Sequence, residues 1–113
     1  MEIKVTRLPD ALVVGVDGRL DSTTAPALEQ QLLTLIEAPE RRLVLDFSQL
    51  VYITSAGLRT VLVAAKRLKN AQGELILCSL NAAVHKVFDI AGFLGILPVR
   101  TTLEDALALL RAR

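Results

Sequence analysis

The amino-acid sequence predicts an α/β fold, a mixed sheet of four to five strands packed against four helices in a single domain. Two patterns carry that expectation. Short apolar runs of strand length alternate with longer stretches whose apolar residues recur every three or four positions, and a Pro9-Asp10 turn signal separates the first two runs. Composition adds a third observation. Hydrophobic residues make up 52% of the 113 residues and aromatic ones 4%, so the core must be built from Leu, Val, Ile and Ala. A chain of this length fits one domain, residues 1–113.

Taken in order, Ile3 and Val5 alternate with polar neighbours, and Leu12-Val13-Val14-Gly15-Val16 comes after the turn. These read as two strands of an antiparallel hairpin. Gly18 to Thr24 is a turn-rich connection into a helix whose inward stripe is Ala25, Leu28, Leu32, Leu35 and Ile36. Thr24 is its expected N-cap, Pro26 sits in the first turn where a missing N–H does no harm, and Pro39 ends it. Leu43-Val44-Leu45 is a continuous apolar run, as a covered central strand requires.

The second helix is expected from Ser55 to Asn70. Leu58, Val61, Leu62, Ala65 and Leu68 face inward, Arg59, Lys66, Arg67 and Lys69 mostly outward, and Gly73 closes it. Leu75 to Cys78 is a further strand, and Val84, Val87, Phe88 and Ala91 form a third helical stripe stopped by Gly92. A brief strand near Leu97 to Arg100 precedes the last helix, where Thr102 and Asp105 resemble a capping box and Glu104 shares the first turn. Successive β-α units favour parallel neighbours joined by right-handed crossovers, with one antiparallel edge strand from the hairpin.

Charge and composition narrow the function. Thirteen basic residues against twelve acidic leave a formal net charge of +1. Nucleic acid is therefore not the expected partner, since phosphate binding needs a concentrated basic face. Met1-Glu2-Ile3-Lys4 has no signal-peptide core, and the longest uncharged apolar stretch, Ile90 to Val99, is far short of the ~20 residues of a membrane span. No direct membrane insertion and a cytoplasmic location are expected. Cys78, alone of its kind, cannot form an internal disulfide and lies in an apolar run, which reads as a reduced, buried thiol.

Catalytic constellations are thin. His85 is the one histidine, beside Lys86 on the expected solvent side of a helix, so a nucleophile relay has little to draw on. The sequence holds no Gly-x-Ser-x-Gly elbow, Walker loop or dinucleotide fingerprint, and clustered metal ligands are missing. The expectation is a binding protein, not an enzyme, with no cofactor, no metal and no catalytic residue.

The segment that stands out runs from Leu45 to Leu58: a central strand ends, a loop carries several hydroxyls, and a helix begins at Thr54-Ser55. A helix N-terminus offers unpaired N–H groups and partial positive charge, which suits a hydroxyl that will carry phosphate. Arg59 stands one helical turn after Ser55, where it could pair with that phosphate. Gly57 is expected to keep the first turn bare for a partner, so that Gly57→Arg would abolish binding and leave the fold intact. The same spacing also fits a plain N-cap at Thr54 or Ser55 and a solvated Arg59.

Asp46-Phe47-Ser48 through Ile53-Thr54-Ser55-Ala56-Gly57-Leu58 resembles the signature of STAS domains, the family of bacterial anti-sigma factor antagonists. Gly18-Arg19-Leu20-Asp21 is similar to a second recurring stretch of that family, and Ala91-Gly92-Phe93 with Thr102-Leu103-Glu104 resembles its C-terminal third. The resemblance implies a partner switch. An anti-sigma factor that is also a serine kinase phosphorylates the motif serine, the unphosphorylated antagonist binds that kinase and frees the sigma factor, and a metal-dependent serine phosphatase resets the cycle. Ser55 matches the phosphoacceptor, with Thr54 as second choice, and Asp21 matches a partner-contact position. The expected partner-binding set is Asp21, Thr23, Thr54, Ser55, Ala56, Gly57 and Arg59. Thr54 stands where many antagonists carry Asp, which leaves the kinase and pathway open. The alternative is a STAS accessory subunit docked on a transporter or lipid-export ATPase.

Overall fold

Glu2–Leu8 (β1), in which apolar and polar residues alternate at its start, and Ala11–Leu20 (β2), apolar and buried over its first four residues, form an antiparallel hairpin, paired from Glu2 opposite Asp17 to Leu8 opposite Ala11. The structure, a computed structural model, describes residues 1–37 and 41–112. After the hairpin come α1 (Ala25–Ile36), β3 (Arg42–Asp46), β4 (Leu50–Ile53), α2 (Ser55–Asn70), β5 (Glu74–Cys78), α3 (Ala82–Ile90), a 3-10 turn at Phe93–Gly95, β6 (Val99–Arg100) and α4 (Leu103–Arg111). The sheet runs β1-β2-β3-β5-β6, with β4 paired to β2 off this path. All pairs but β1–β2 are parallel, and Leu43 to Leu45 are central, as expected.

The two sheet faces are covered unequally. Leu12, Val14, Val16, Leu43, Leu45, Leu75 and Leu77 point to the side carrying α1, α2 and α3, where Leu28, Leu32, Val61, Leu68, Val84 and Phe88 close the larger core. Ala11, Val13, Val44, Ile76 and Cys78 point the other way and meet α4 through Ala106, Leu107 and Leu110. That alternation explains why Leu43 to Leu45 of β3 and Leu75 to Cys78 of β5 are continuously apolar: both faces are buried. The Arg111 side chain pairs with Asp10 in the hairpin turn and ties the end of α4 to the start of β2.

The expected fold class holds, but the sheet has six strands among the described residues. The additional one is β4, whose residues Leu50 and Ile53 are buried and Val51 and Tyr52 exposed. A register shift against β2 between Gly18 and Arg19 breaks the period of two, so the segment reads as loop. For the same reason β2 continues through Leu20, where a turn-rich connection was expected; Gly18 supports the irregularity with φ +93°.

Helix ends also differ in detail. Thr24 precedes α1 without a side-chain capping bond. Past α2 the left-handed residue is Gln72, at φ 63°, not Gly73. Gly73 is required for space: a Cβ there would run into the Arg41 carbonyl as the chain turns into β5. Gly92 ends α3 at φ +78° and Thr102 Oγ1 accepts from the Asp105 N–H at 3.1 Å, both as expected. Pro39 lies outside the described residues.

Candidate functional site

The candidate site lies where two parallel strands end side by side. Leu20 at the end of β2 is opposite Ile53 at the end of β4, and the Thr54 N–H donates to the Leu20 carbonyl at 3.0 Å. The Asp21 loop and the start of α2 therefore leave the same end of the sheet. Sequence reasoning expected this juxtaposition of Asp21 and Ser55.

The Asp21 loop is held by its own groups. Asp21 Oδ1 accepts from the N–H groups of Thr23 at 3.0 Å and Thr24 at 3.1 Å, and the Asp21 carbonyl accepts from Ala25 N–H at 2.8 Å. Thr24 Oγ1 accepts from the Asp21 N–H at 3.0 Å and donates to the Arg19 carbonyl at 2.8 Å. The carboxylate, not the expected Thr24 hydroxyl, satisfies the amides entering α1. Those N–H bonds, Thr24 first and Thr23 next, hold the Asp21 carboxyl below the usual carboxylate range. Asp21 is half-buried and Thr23 exposed.

At the start of α2, Thr54 is extended (φ −106°, ψ 177°), half-buried, and places Oγ1 3.4 Å from the Leu20 carbonyl, a long contact. Ser55 is exposed, and among the described residues no hydrogen bond engages its hydroxyl. Ala56 is half-buried against the larger core, and Arg59 is exposed on the next turn. No side chain caps this helix and no acidic residue stands in its first turn, so its leading N–H groups and the positive end of its dipole are left uncompensated by side chains.

Gly57 requires a correction. It is buried, and faces the sheet instead of a partner. A Cβ at this position would lie 2.8 Å from Ile53 Cγ1, 2.8 Å from Leu20 Cγ and 2.9 Å from the Leu20 carbonyl oxygen. Gly57→Arg would therefore disturb the fold, contrary to expectation.

Sequence reasoning missed two neighbours. Arg19 and Tyr52 lie opposite each other across β2 and β4, with the guanidinium 5.0 Å from the ring centroid. Val51 and Tyr52 are 65% and 44% exposed. Reading β4 as loop hid them; an aliphatic-aromatic pair between polar segments was the available signal.

The remaining candidates lie elsewhere. His85 is exposed on α3 and lines an open groove with Leu94, Pro98 and Arg100, to which neither Asp21 nor Ser55 contributes. Cys78 is fully buried, and burial pushes its thiol up to about 11, so it is protonated at neutral pH. Among the described residues no group of three or more His, Cys, Asp or Glu could hold a metal ion. No helix among them is long and apolar enough to cross a membrane.

The family model described as STAS domain matches residues 2–106. The chain belongs to the STAS domain family. Among STAS relatives, a Bordetella bronchiseptica protein named as an anti-sigma factor antagonist, BtrV, is 44% identical over 108 residues, 96% of this chain and 93% of that one. The anti-sigma-B factor antagonist of Listeria monocytogenes is 30% identical over 100 residues, 88% of this chain and 87% of its own. The crystal structure of an anti-sigma factor antagonist from Mycobacterium paratuberculosis superposes with a TM-score of 0.90 at 28% identity, covering 97% of this chain and 93% of that one.

Proposed function

We propose that this STAS domain is an anti-sigma factor antagonist: unphosphorylated, it binds an anti-sigma factor that is also a serine kinase, and phosphorylation of Ser55 releases it. The observation that carries the reading is the Ser55 hydroxyl, exposed and unbonded at a helix start that no side chain caps, beside the Asp21 loop. Thr54 is the poorer acceptor because it is half-buried and its hydroxyl turns toward the Leu20 carbonyl. The relatives matched over nearly their whole length carry antagonist names, which supports the same partner class. Nothing in the site favours a subunit of a transporter or lipid-export ATPase.

Asp21, Thr23, Thr54, Ser55, Ala56 and Arg59 make up the partner-facing surface, and Gly57 contributes from beneath it. A phosphate on Ser55 adds about −1.5 to −2 charges at the centre. The dipole of α2 stabilises it in the free protein by roughly 0.3–1 kcal/mol, and Arg59 adds a pairing partner. A partner packed on a neutral hydroxyl must then desolvate a dianion or withdraw. A loss of about 4 kcal/mol weakens binding roughly a thousandfold, enough for on–off control. A metal-dependent serine phosphatase restores the hydroxyl, and the cycle is cytoplasmic.

The test is to capture the protein's partners from its native cell, incubate the complex with ATP and locate phosphate by mass spectrometry. Phosphate on Ser55, constitutive binding by Ser55→Ala and weak binding by Ser55→Asp are expected. Phosphate on Thr54 instead would move the site by one residue and keep the switch, whereas no phosphate on either hydroxyl, with Ser55→Asp binding as tightly as wild type, would discard the switch in favour of a permanent accessory subunit.

A further inference from the structure

We propose that Gly57 is a positioning residue: by carrying no Cβ it lets the first turn of α2 rest on the Leu20 carbonyl, and that seat sets where Ser55 stands for phosphoryl transfer. This inference rests on the proposed modification of Ser55 and adds a determinant two residues away that never touches the partner.

Three observations converge on the end of β2. The Leu20 carbonyl accepts the Thr54 N–H at 3.0 Å, which fixes the residue before Ser55. Gly57 is buried over the same carbonyl, its absent Cβ position lying 2.9 Å from that oxygen and 2.8 Å from both Leu20 Cγ and Ile53 Cγ1. Real Cβ atoms essentially never approach so closely, and one of the three obstacles is backbone, which cannot rotate away. Any side chain at position 57 must therefore force the start of α2 and the end of β2 apart. That separation stretches the Thr54–Leu20 bond and moves Ser55 relative to the Asp21 loop, which hangs from the same strand end.

In the transfer, Ser55 Oγ forms a bond to the γ-phosphorus of ATP held by the kinase, the bond from that phosphorus to the oxygen bridging to ADP breaks, and the hydroxyl proton passes to a base of the kinase. Attack of this kind depends on the position of the incoming oxygen, and small misplacements cost rate more than binding. Ser55 is not held by any side-chain bond of its own, so its place derives from the seat beneath α2.

Two measurements test this. Gly57→Ala is compared with Val61→Ala, which truncates a fully buried residue farther along α2 and weakens the fold without adding bulk at the seat. With ATP and the kinase captured on the tagged protein, Gly57→Ala is expected to lower kcat for Ser55 phosphorylation by roughly tenfold or more with KM little changed, while Val61→Ala stays within about twofold of wild type. Equal kcat in Gly57→Ala and wild type, or an equal fall in both variants, overturns the positioning role. In the wild-type protein alone, amide exchange at Thr54 is expected to be roughly a hundredfold slower than at Ser55. Comparable rates overturn the seat itself, even where Gly57→Ala fails to fold. If wild-type Ser55 takes no phosphate, the role in transfer falls, and the proposed function falls with it unless Thr54 takes the phosphate, while a protected Thr54 amide still establishes the seat.

Discussion

Asp21 shows how one side chain can shape both a loop and the pH response of the fold. Its carboxylate accepts the Thr23 and Thr24 N–H groups, and the folded protein therefore holds it more acidic than an unfolded chain does. A depressed carboxyl contributes stability that is fully present above its unfolded value near 3.9 and lost as pH falls through the folded value. Replacing Asp21 with Asn should thus flatten the loss of stability below about pH 4, read as the urea midpoint against pH. An unchanged profile would mean that the loop bonds do not persist in solution. At this scale the sequence told much: Ser55, Thr54, Asp21 and Arg59 came from motif and spacing, and the structure brings the Asp21 and Ser55 segments to one end. Gly57 came from the same motif but its buried setting did not, because a glycine near a helix start reads alike whether it bares a surface or fits beneath one. Only the position of Leu20, distant in sequence, distinguishes the two.

Elements were legible wherever one periodicity ran unbroken. α2 was expected from Ser55 to Asn70 and is found there, because its inward stripe is continuous over four turns and nothing interrupts its register. β4 was illegible for the opposite reason: a register shift exposes two consecutive apolar residues, and no strand pattern predicts that. α3 is the shortest helix on the larger core and depends on a single aromatic. Phe88 is fully buried, 6.4 Å from the Phe47 ring and 6.1 Å from Phe93, so it joins α3 to the end of β3 and to the 3-10 turn. Phe88→Ala should cost about 3–5 kcal/mol by chemical denaturation. A cost below about 1 kcal/mol, on the order of a surface change, would show that α3 docks by other contacts.

For the molecule as a whole, the uneven covering of the sheet determines what is exposed when it opens. Among the described residues three helices close one face, while α4 is the one helix that closes the other over Val13, Val44, Ile76 and Cys78. Cys78 therefore reports on α4. Its thiol is buried and raised to about 11, so both access and thiolate supply are restricted in the native state. Labelling by a thiol reagent at neutral pH should be at least about a thousandfold slower in buffer than in denaturant. Rapid native labelling would mean that α4 detaches readily. The sequence indicated a buried cysteine from its apolar run, but not the helix that covers it, since α4 lies far along the chain from the strands on which it packs.

The pairing of Arg19 with Tyr52 has a practical consequence. Tyr52 is the protein's only tyrosine and there is no tryptophan, so emission excited where the three phenylalanines barely absorb comes from one ring. That ring sits on β4, three positions before Ser55, partly open to solvent and under a guanidinium whose placement depends on β2. The molecule is in effect a single-fluorophore instrument with its detector at the rim of the site. Partner docking, or a new charge on Ser55, can be followed in unmodified protein through the intensity and polarisation of one natural signal, and Tyr52→Phe supplies the dark reference.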